Sequence, residues 1–136
     1  MGKKLTLARV LICVVLFFNL QSAAVFIARP AAYIDGFGLE GLAGAQMVRG
    51  MGVLFVMWNV PYIFALLNPA WNRISLIEAI VMQAIGLAGE TLILLLGGPN
   101  SGQITATIKR FIVFDGVGLL LLVTAAVLTR NFKPGD

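Results

Sequence analysis

Four long apolar runs, separated by short stretches of helix-breaking residues, limit what this chain can become. They cover residues 10–28, 50–67, 74–96 and 111–128. A helix needs about 20 apolar residues to cross the hydrocarbon core of a bilayer, and each run is close to that length. Arg29-Pro30, Asn68-Pro69 and Gly97-Gly98-Pro99-Asn100 divide them. Lipid offers the backbone no hydrogen-bond partners, so runs of this length are satisfied only as helices. The expected spans are about 8–28, 46–67, 75–96 and 110–129, in one transmembrane domain covering 1–136. The chain is 60% hydrophobic and 12% charged, against about 25% charged in a soluble domain. Four spans leave no room for a soluble catalytic domain. The expected fold is all-α, an integral membrane four-helix antiparallel bundle.

Missing residue types exclude several functions. There is no histidine, which removes the commonest ligand of zinc, copper and haem iron and the usual general base. The single cysteine, Cys13, lies inside an apolar run. A membrane thiol–disulfide enzyme needs a reacting pair, so Cys13 reads as a small apolar filler. Ile12 precedes it, where a lipidated cysteine would follow a small residue. No cofactor is expected. The net charge of +4 comes from scattered basic residues, which argues against nucleic acid as a partner. The expected surroundings are a lipid bilayer, that of a bacterial cytoplasmic (inner) membrane, with other membrane subunits or further copies of the chain as partners.

The first run has a basic start and Ser22-Ala23-Ala24, as a cleaved signal would. Its apolar stretch continues through Val25-Phe26-Ile27, so it is read as a retained span. Orientation follows Lys and Arg. With the N-terminus inside, the inner side carries six (Lys3, Lys4, Arg9, Arg73, Arg130, Lys133) and the outer side four (Arg29, Arg49, Lys109, Arg110). Both termini are therefore expected on the cytoplasmic side, with Trp71 and Phe132 at the inner interface and Tyr33 at the outer. The outer connection contains Gly36-Phe37-Gly38-Leu39-Glu40-Gly41, which matches a dinucleotide-binding pattern. That pattern has meaning only between a strand and a helix. Between two spans it reads as a glycine-rich turn or a short interfacial helix leading into the second span.

An ionisable residue inside a span normally faces protein and has a partner. Ser75-Leu76-Ile77-Glu78 reads as a capping box opening the third span, which gives Glu78 a structural role. Glu90 lies six residues before the end of that span, roughly 9 Å below the boundary at 1.5 Å per residue. Ala79, Gln83, Gly86 and Glu90 share one small, polar helix face. Asp115 lies five residues after Arg110, on a face continuing through Gly118, Leu122 and Ala125. Arg49 enters the second span with Gly52, Val56 and Asn59, and Asn19 lies in the outer half of the first. Asn19, Arg49, Glu90 and Asp115 are thus expected at one depth as a polar cluster. Nearby glycines permit close helix approach. Arg49 would bridge the two carboxylates, and Lys109 and Arg110 would close the cluster from outside. The cluster reads either as a clasp that sets helix register or as a pocket for a small polar head group, a quinone ring or a proton path.

The second span also carries Trp58-Asn59-Val60-Pro61-Tyr62. Pro61 has no N–H and frees the carbonyl of Met57. The expectation is a kink, with Asn59 or Tyr62 taking the freed group and an aromatic-lined cavity beside it.

The order of features resembles the DoxX-like small four-helix membrane proteins. Val48-Arg49-Gly50-Met51-Gly52-Val53-Leu54-Phe55, Asn68-Pro69, Lys109-Arg110-Phe111 and Asp115-Gly116 carry the resemblance. It implies a four-helix bundle whose relatives include subunits of quinone-linked oxidoreductases, and it transfers no catalytic residue. The leading expectation is a non-catalytic accessory or scaffolding subunit of a larger membrane complex, quinone-linked or energy-transducing. The alternative is a small-molecule or lipid binding or transport protein that uses the polar cluster. A third reading makes Glu90 and Asp115 an acid–base pair of a membrane enzyme.

Overall fold

The computed structural model describes residues 2–98 and 102–132. Lys133 of the inner basic count, and Pro99 and Asn100 of the third breaker, lie outside the described residues. The described residues form five α-helices: α1 (Gly2–Ala28), α2 (Gly41–Trp58), α3 (Val60–Leu67), α4 (Arg73–Leu96) and α5 (Gly102–Thr129). No strand is present among the described residues. Helices α2 and α3 are two halves of one apolar segment. Four segments, of 27, 27, 24 and 28 residues, are long and apolar enough to cross a membrane. All begin upstream of the apolar runs: the residues before each run, polar in the first, third and fourth segments and mostly small and apolar in the second, continue the helix.

The exposed surface supports this reading. Leu, Ile, Val and Phe side chains lie open on all the long helices, including Phe17, Leu92 and Leu120. In water such a surface would aggregate; in a bilayer it faces lipid. Cys13 is a free cysteine on the exposed side of α1.

The buried core occupies one half of the bundle. Ala8, Ile12, Val15 and Leu16 of α1 meet Tyr62 and Ala65 of α3, Leu76 and Ala79 of α4, and Leu122 and Ala125 of α5. Polar ties hold the same end. Arg9 Nη2 donates to the Leu67 carbonyl at 2.7 Å, Asn72 Nδ2 to that of Phe64 at 2.7 Å, and Arg73 Nη1 to that of Arg130 at 3.1 Å. These cations and amides meet the carbonyls that helix C-termini leave unpaired.

The start of α4 differs from the expected capping box. The helix begins at Arg73, and its N-cap residue, Asn72, makes no side-chain capping bond. Ser75 therefore sits inside the first turn, and Glu78 is exposed. The cause lies upstream. Asn68 Oδ1 accepts from the Ala70 and Trp71 amides, both at 3.2 Å, and the Asn72 N–H bonds the Asn68 carbonyl at 2.8 Å. The chain is already turning helically before Ser75 arrives.

At the other end of the bundle, the connection from α1 to α2 forms two short 3₁₀ turns, Pro30–Ala32 and Ile34–Phe37. Gly38 ends the second at φ 65°, a left-handed conformation that glycine adopts without steric cost. The glycine pattern at 36–41 is therefore a turn that packs on α5, not a nucleotide loop.

The halves differ because the second segment breaks. Helix α2 ends at Trp58 and α3 begins at Val60, with Pro61 in its first turn. Proline is tolerated there because first-turn amides have no helical partner. The Asn59 side chain donates to the Phe55 carbonyl at 2.6 Å. Tyr62 turns instead to α4. Neither side chain takes the Met57 carbonyl, the group that loss of the Pro61 amide had marked. Below the break, α3 packs against α4; above it, α2 packs against α1 and not against α4.

Candidate functional site

The divergence of α2 from α4 leaves a cavity of about 560 Å³ above Asn59. Asn19 and Ser22 of α1, Phe55 and Trp58 of α2, and Tyr62 of α3 line it. Helix α4 contributes Gln83, Gly86, Gly89 and Glu90, and α5 contributes Arg110, Phe111, Phe114 and Asp115. Trp58 of α2 and Ile85 of α4 line the cavity and are exposed, and α2 and α4 do not pack together.

The floor is a directed set of hydrogen bonds. The Tyr62 hydroxyl donates to Gln83 Oε1 at 2.6 Å and lies 3.2 Å from the Ala79 carbonyl oxygen. Gln83 Nε2 donates to Asp115 Oδ1 at 2.8 Å. Asn19 Nδ2 donates to Asn59 Oδ1 at 3.0 Å, and Asn59 passes its own amide proton to Phe55. Three helices are joined through Gln83 and two through Asn59. Among the described residues, every buried side-chain nitrogen and oxygen has a partner, so the polar floor is not left half-satisfied.

Small residues make room for this floor. A Cβ on Gly118 would lie 2.7 Å from Gln83 Nε2, and one on Gly86 would meet Asp115 Oδ2. The amide and the carboxylate thus occupy the space those glycines leave. The shared face of Ala79, Gln83, Gly86 and Glu90 points inward as the periodicity required. So does that of Asp115, Gly118, Leu122 and Ala125.

Of the expected four-residue cluster, the structure brings together Asn19, Glu90 and Asp115. Arg49 is elsewhere. Its Nε donates to the Ile27 carbonyl at 3.2 Å and its Nη1 to Gln46 Oε1 at 3.0 Å. It caps the end of α1 and bridges no carboxylates. The reason is rotational. Arg49 shares with Gly52 the face that packs on α1, whereas Phe55, six residues on, lies about 240° round the helix and lines the cavity. The cation bordering the cavity is Arg110. Lys109 lines a separate apolar groove between α1 and α5.

Aromatic rings form the cavity's upper wall. Phe55 meets Trp58 at 5.7 Å, Phe111 at 6.2 Å and Phe26 at 5.7 Å between centroids. Phe37 of the connecting turn joins through Phe111 at 6.1 Å and Phe26 at 5.8 Å. Single-helix periodicity does not reveal this cluster, because its members come from four separate segments. Trp58 and Tyr62 beside the Pro61 break marked one side of the cavity, and the spacing of Phe111, Phe114 and Asp115 is a further signal, since positions i, i+3 and i+4 share a helix face.

No family model, no curated protein and no solved structure matches this chain.

Proposed function

We propose that this chain is a small-molecule-binding membrane protein whose site is the cavity between α2, α4 and α5. The observation that carries the reading is the cavity itself: about 560 Å³, within the roughly 300–1,000 Å³ usual for small-molecule sites. It combines apolar and aromatic walls with a few convergent polar groups, the usual make-up of such sites. The expected accessory-subunit role gains its support from the other groove, about 540 Å³, which Val14, Phe18, Val113 and Val117 line between α1 and α5. A partner helix or an acyl chain fits that groove equally, so the binding reading takes precedence. The DoxX-like resemblance is compatible with either role.

Gly89→Leu tests the binding reading. A Cβ at Gly89 meets nothing within 4 Å, and Gly89 lines the cavity. Leucine there fills ligand space without displacing backbone, and it favours the helix by about 1 kcal/mol over glycine. The variant is expected to unfold no earlier than the parent and to lose the thermal stabilisation that small amphipathic ligands confer on the parent. Unchanged ligand stabilisation in the variant removes the cavity as the site. If the chain instead migrates at fixed stoichiometry within a large assembly on native separation of mild-detergent extracts, the accessory reading leads.

The reading includes an antiparallel arrangement of the four spans, with both termini on the cytoplasmic side of a bacterial inner membrane. Lys3 and Lys4 support that orientation. In a Cys13→Ala background, Asp35→Cys is expected to react with an impermeant maleimide on intact cells. Trp71→Cys is expected to react only after permeabilisation. The opposite pattern inverts the topology.

A further inference from the structure

We infer that the ligand of this cavity is a lipophilic organic monocation, such as a tertiary or quaternary ammonium or a phosphonium with aromatic substituents. The inference rests on the binding reading above and goes beyond it in naming the ligand's charge.

Each hydrogen bond of the floor ends on a protein acceptor, and Ser22, Trp58 and Arg110 are further donors lining the cavity. Tyr62 gives its proton to Gln83, Gln83 donates to Asp115, and Asn19 donates to Asn59, which itself donates to Phe55. Asp115 retains its second carboxylate oxygen. Glu90 makes no hydrogen bond among the described residues, and it lines the same cavity as Asp115. What the cavity offers a charged ligand is therefore set by these two carboxylates against the one guanidinium of Arg110.

The charge count points the same way. Helix α4 contributes Glu90 and α5 contributes Asp115 and Arg110; the lining residues of α1, α2 and α3 are neutral. Two carboxylates and one guanidinium leave a formal charge of −1. An uncompensated charge inside a membrane protein is unfavourable, and one bound monocation removes it. An anion would meet two carboxylates and a single rim cation.

The walls suit a diffuse cation rather than a hydrated metal ion. Phe55, Trp58, Phe111 and Phe114 line the cavity, and aromatic faces attract organic cations within about 6 Å. The lining residues Trp58 and Ile85 are exposed apolar surface, which gives a cation already dissolved in the bilayer interface a lateral route inward. Apolar bulk and positive charge are thus the properties the site selects together.

A charge-reversed pair of the same shape tests this. Binding of tetraphenylphosphonium and tetraphenylborate is measured on the protein in phosphatidylcholine nanodiscs, with empty discs subtracted and, in a Trp71→Phe background, Trp58 fluorescence as a second readout. The phosphonium is expected to bind saturably and about tenfold or more tighter than the borate. Glu90→Gln alone is expected to weaken phosphonium binding. Because Glu90 holds no hydrogen bond, the fold does not depend on it. Glu90→Gln with Asp115→Asn is expected to abolish the preference while leaving an identical elution profile. If both probes bind equally, or the double variant keeps the preference, the cation inference falls. The cavity reading then survives so long as Gly89→Leu blocks that binding. If neither probe binds in a Gly89→Leu-sensitive way, both readings fall together.

Discussion

Gly52→Val is expected to separate α1 from α2 and to cost the fold far more stability than the same change at a glycine with open space around it. A Cβ at Gly52 would lie 2.8 Å from Ile27 Cγ1, 2.9 Å from the Ala23 carbonyl oxygen and 3.1 Å from the Ile27 nitrogen. Two of those three atoms are backbone, so no rotamer change relieves the contact. Overpacking of this kind costs about 1–3 kcal/mol in cores that can adjust, and more where they cannot. The α1–α2 interface is the only sizeable packing surface α2 has besides the connecting turns, so the loss also releases the wall of the cavity. Gly50→Val is the matched control, since a Cβ at Gly50 meets nothing within 4 Å. Thermal unfolding in micelles, followed by helical circular dichroism, checks the pair. Gly52→Val is expected to unfold far earlier than the parent, and Gly50→Val to stay close to it. Equal behaviour of the two variants would show that close approach at Gly52 does not hold the helices together.

Gln83→Leu is expected to destabilise the bundle by roughly 1–3 kcal/mol, the range for losing a hydrogen bond to a charged group. Interhelical hydrogen bonds in membranes average only about 0.6 kcal/mol. Gln83 exceeds that average for two reasons. It joins Tyr62 of α3 and Asp115 of α5 in one step, and its removal leaves the Asp115 carboxylate without its amide donor. The Tyr62 hydroxyl keeps the Ala79 carbonyl as an acceptor, so most of the effect falls on Asp115. Adding Asp115→Leu to Gln83→Leu is therefore expected to recover much of the lost stability, because removing both partners leaves nothing unpaired. A double-mutant cycle on unfolding free energies measures this coupling. Purely additive losses would mean that the Gln83–Asp115 bond contributes nothing specific.

Much of the site's cast was legible from spacing. The polar face of Ala79, Gln83, Gly86 and Glu90 follows helical periodicity, and so does the face that carries Asp115. Proline at 61 marked the break in the second segment. The polar partners were not legible in the same way. Arg49 looked like the cation for two carboxylates because it enters the membrane at their depth. Its rotation about the axis of α2, set by Gly52 against Ala23 and Ile27, turns it to the end of α1 instead. Ser75 and Glu78 fit a capping box in sequence, but the turn built on Asn68 started the helix earlier. In both cases a local pattern gave way to contacts between distant segments.

The limits of legibility have a physical basis. Hydrophobic length and the need to satisfy every backbone amide in lipid are local demands, met within one segment. They determine four apolar helical segments and the residues that share each face. Which faces meet is decided between segments, by where glycines let backbones approach and where polar side chains find partners. The cavity belongs to that second kind of fact. It exists because α3 stays with α4 while α2, past Asn59, goes to α1. No stretch of sequence contains that divergence, which depends on three helices packing at once.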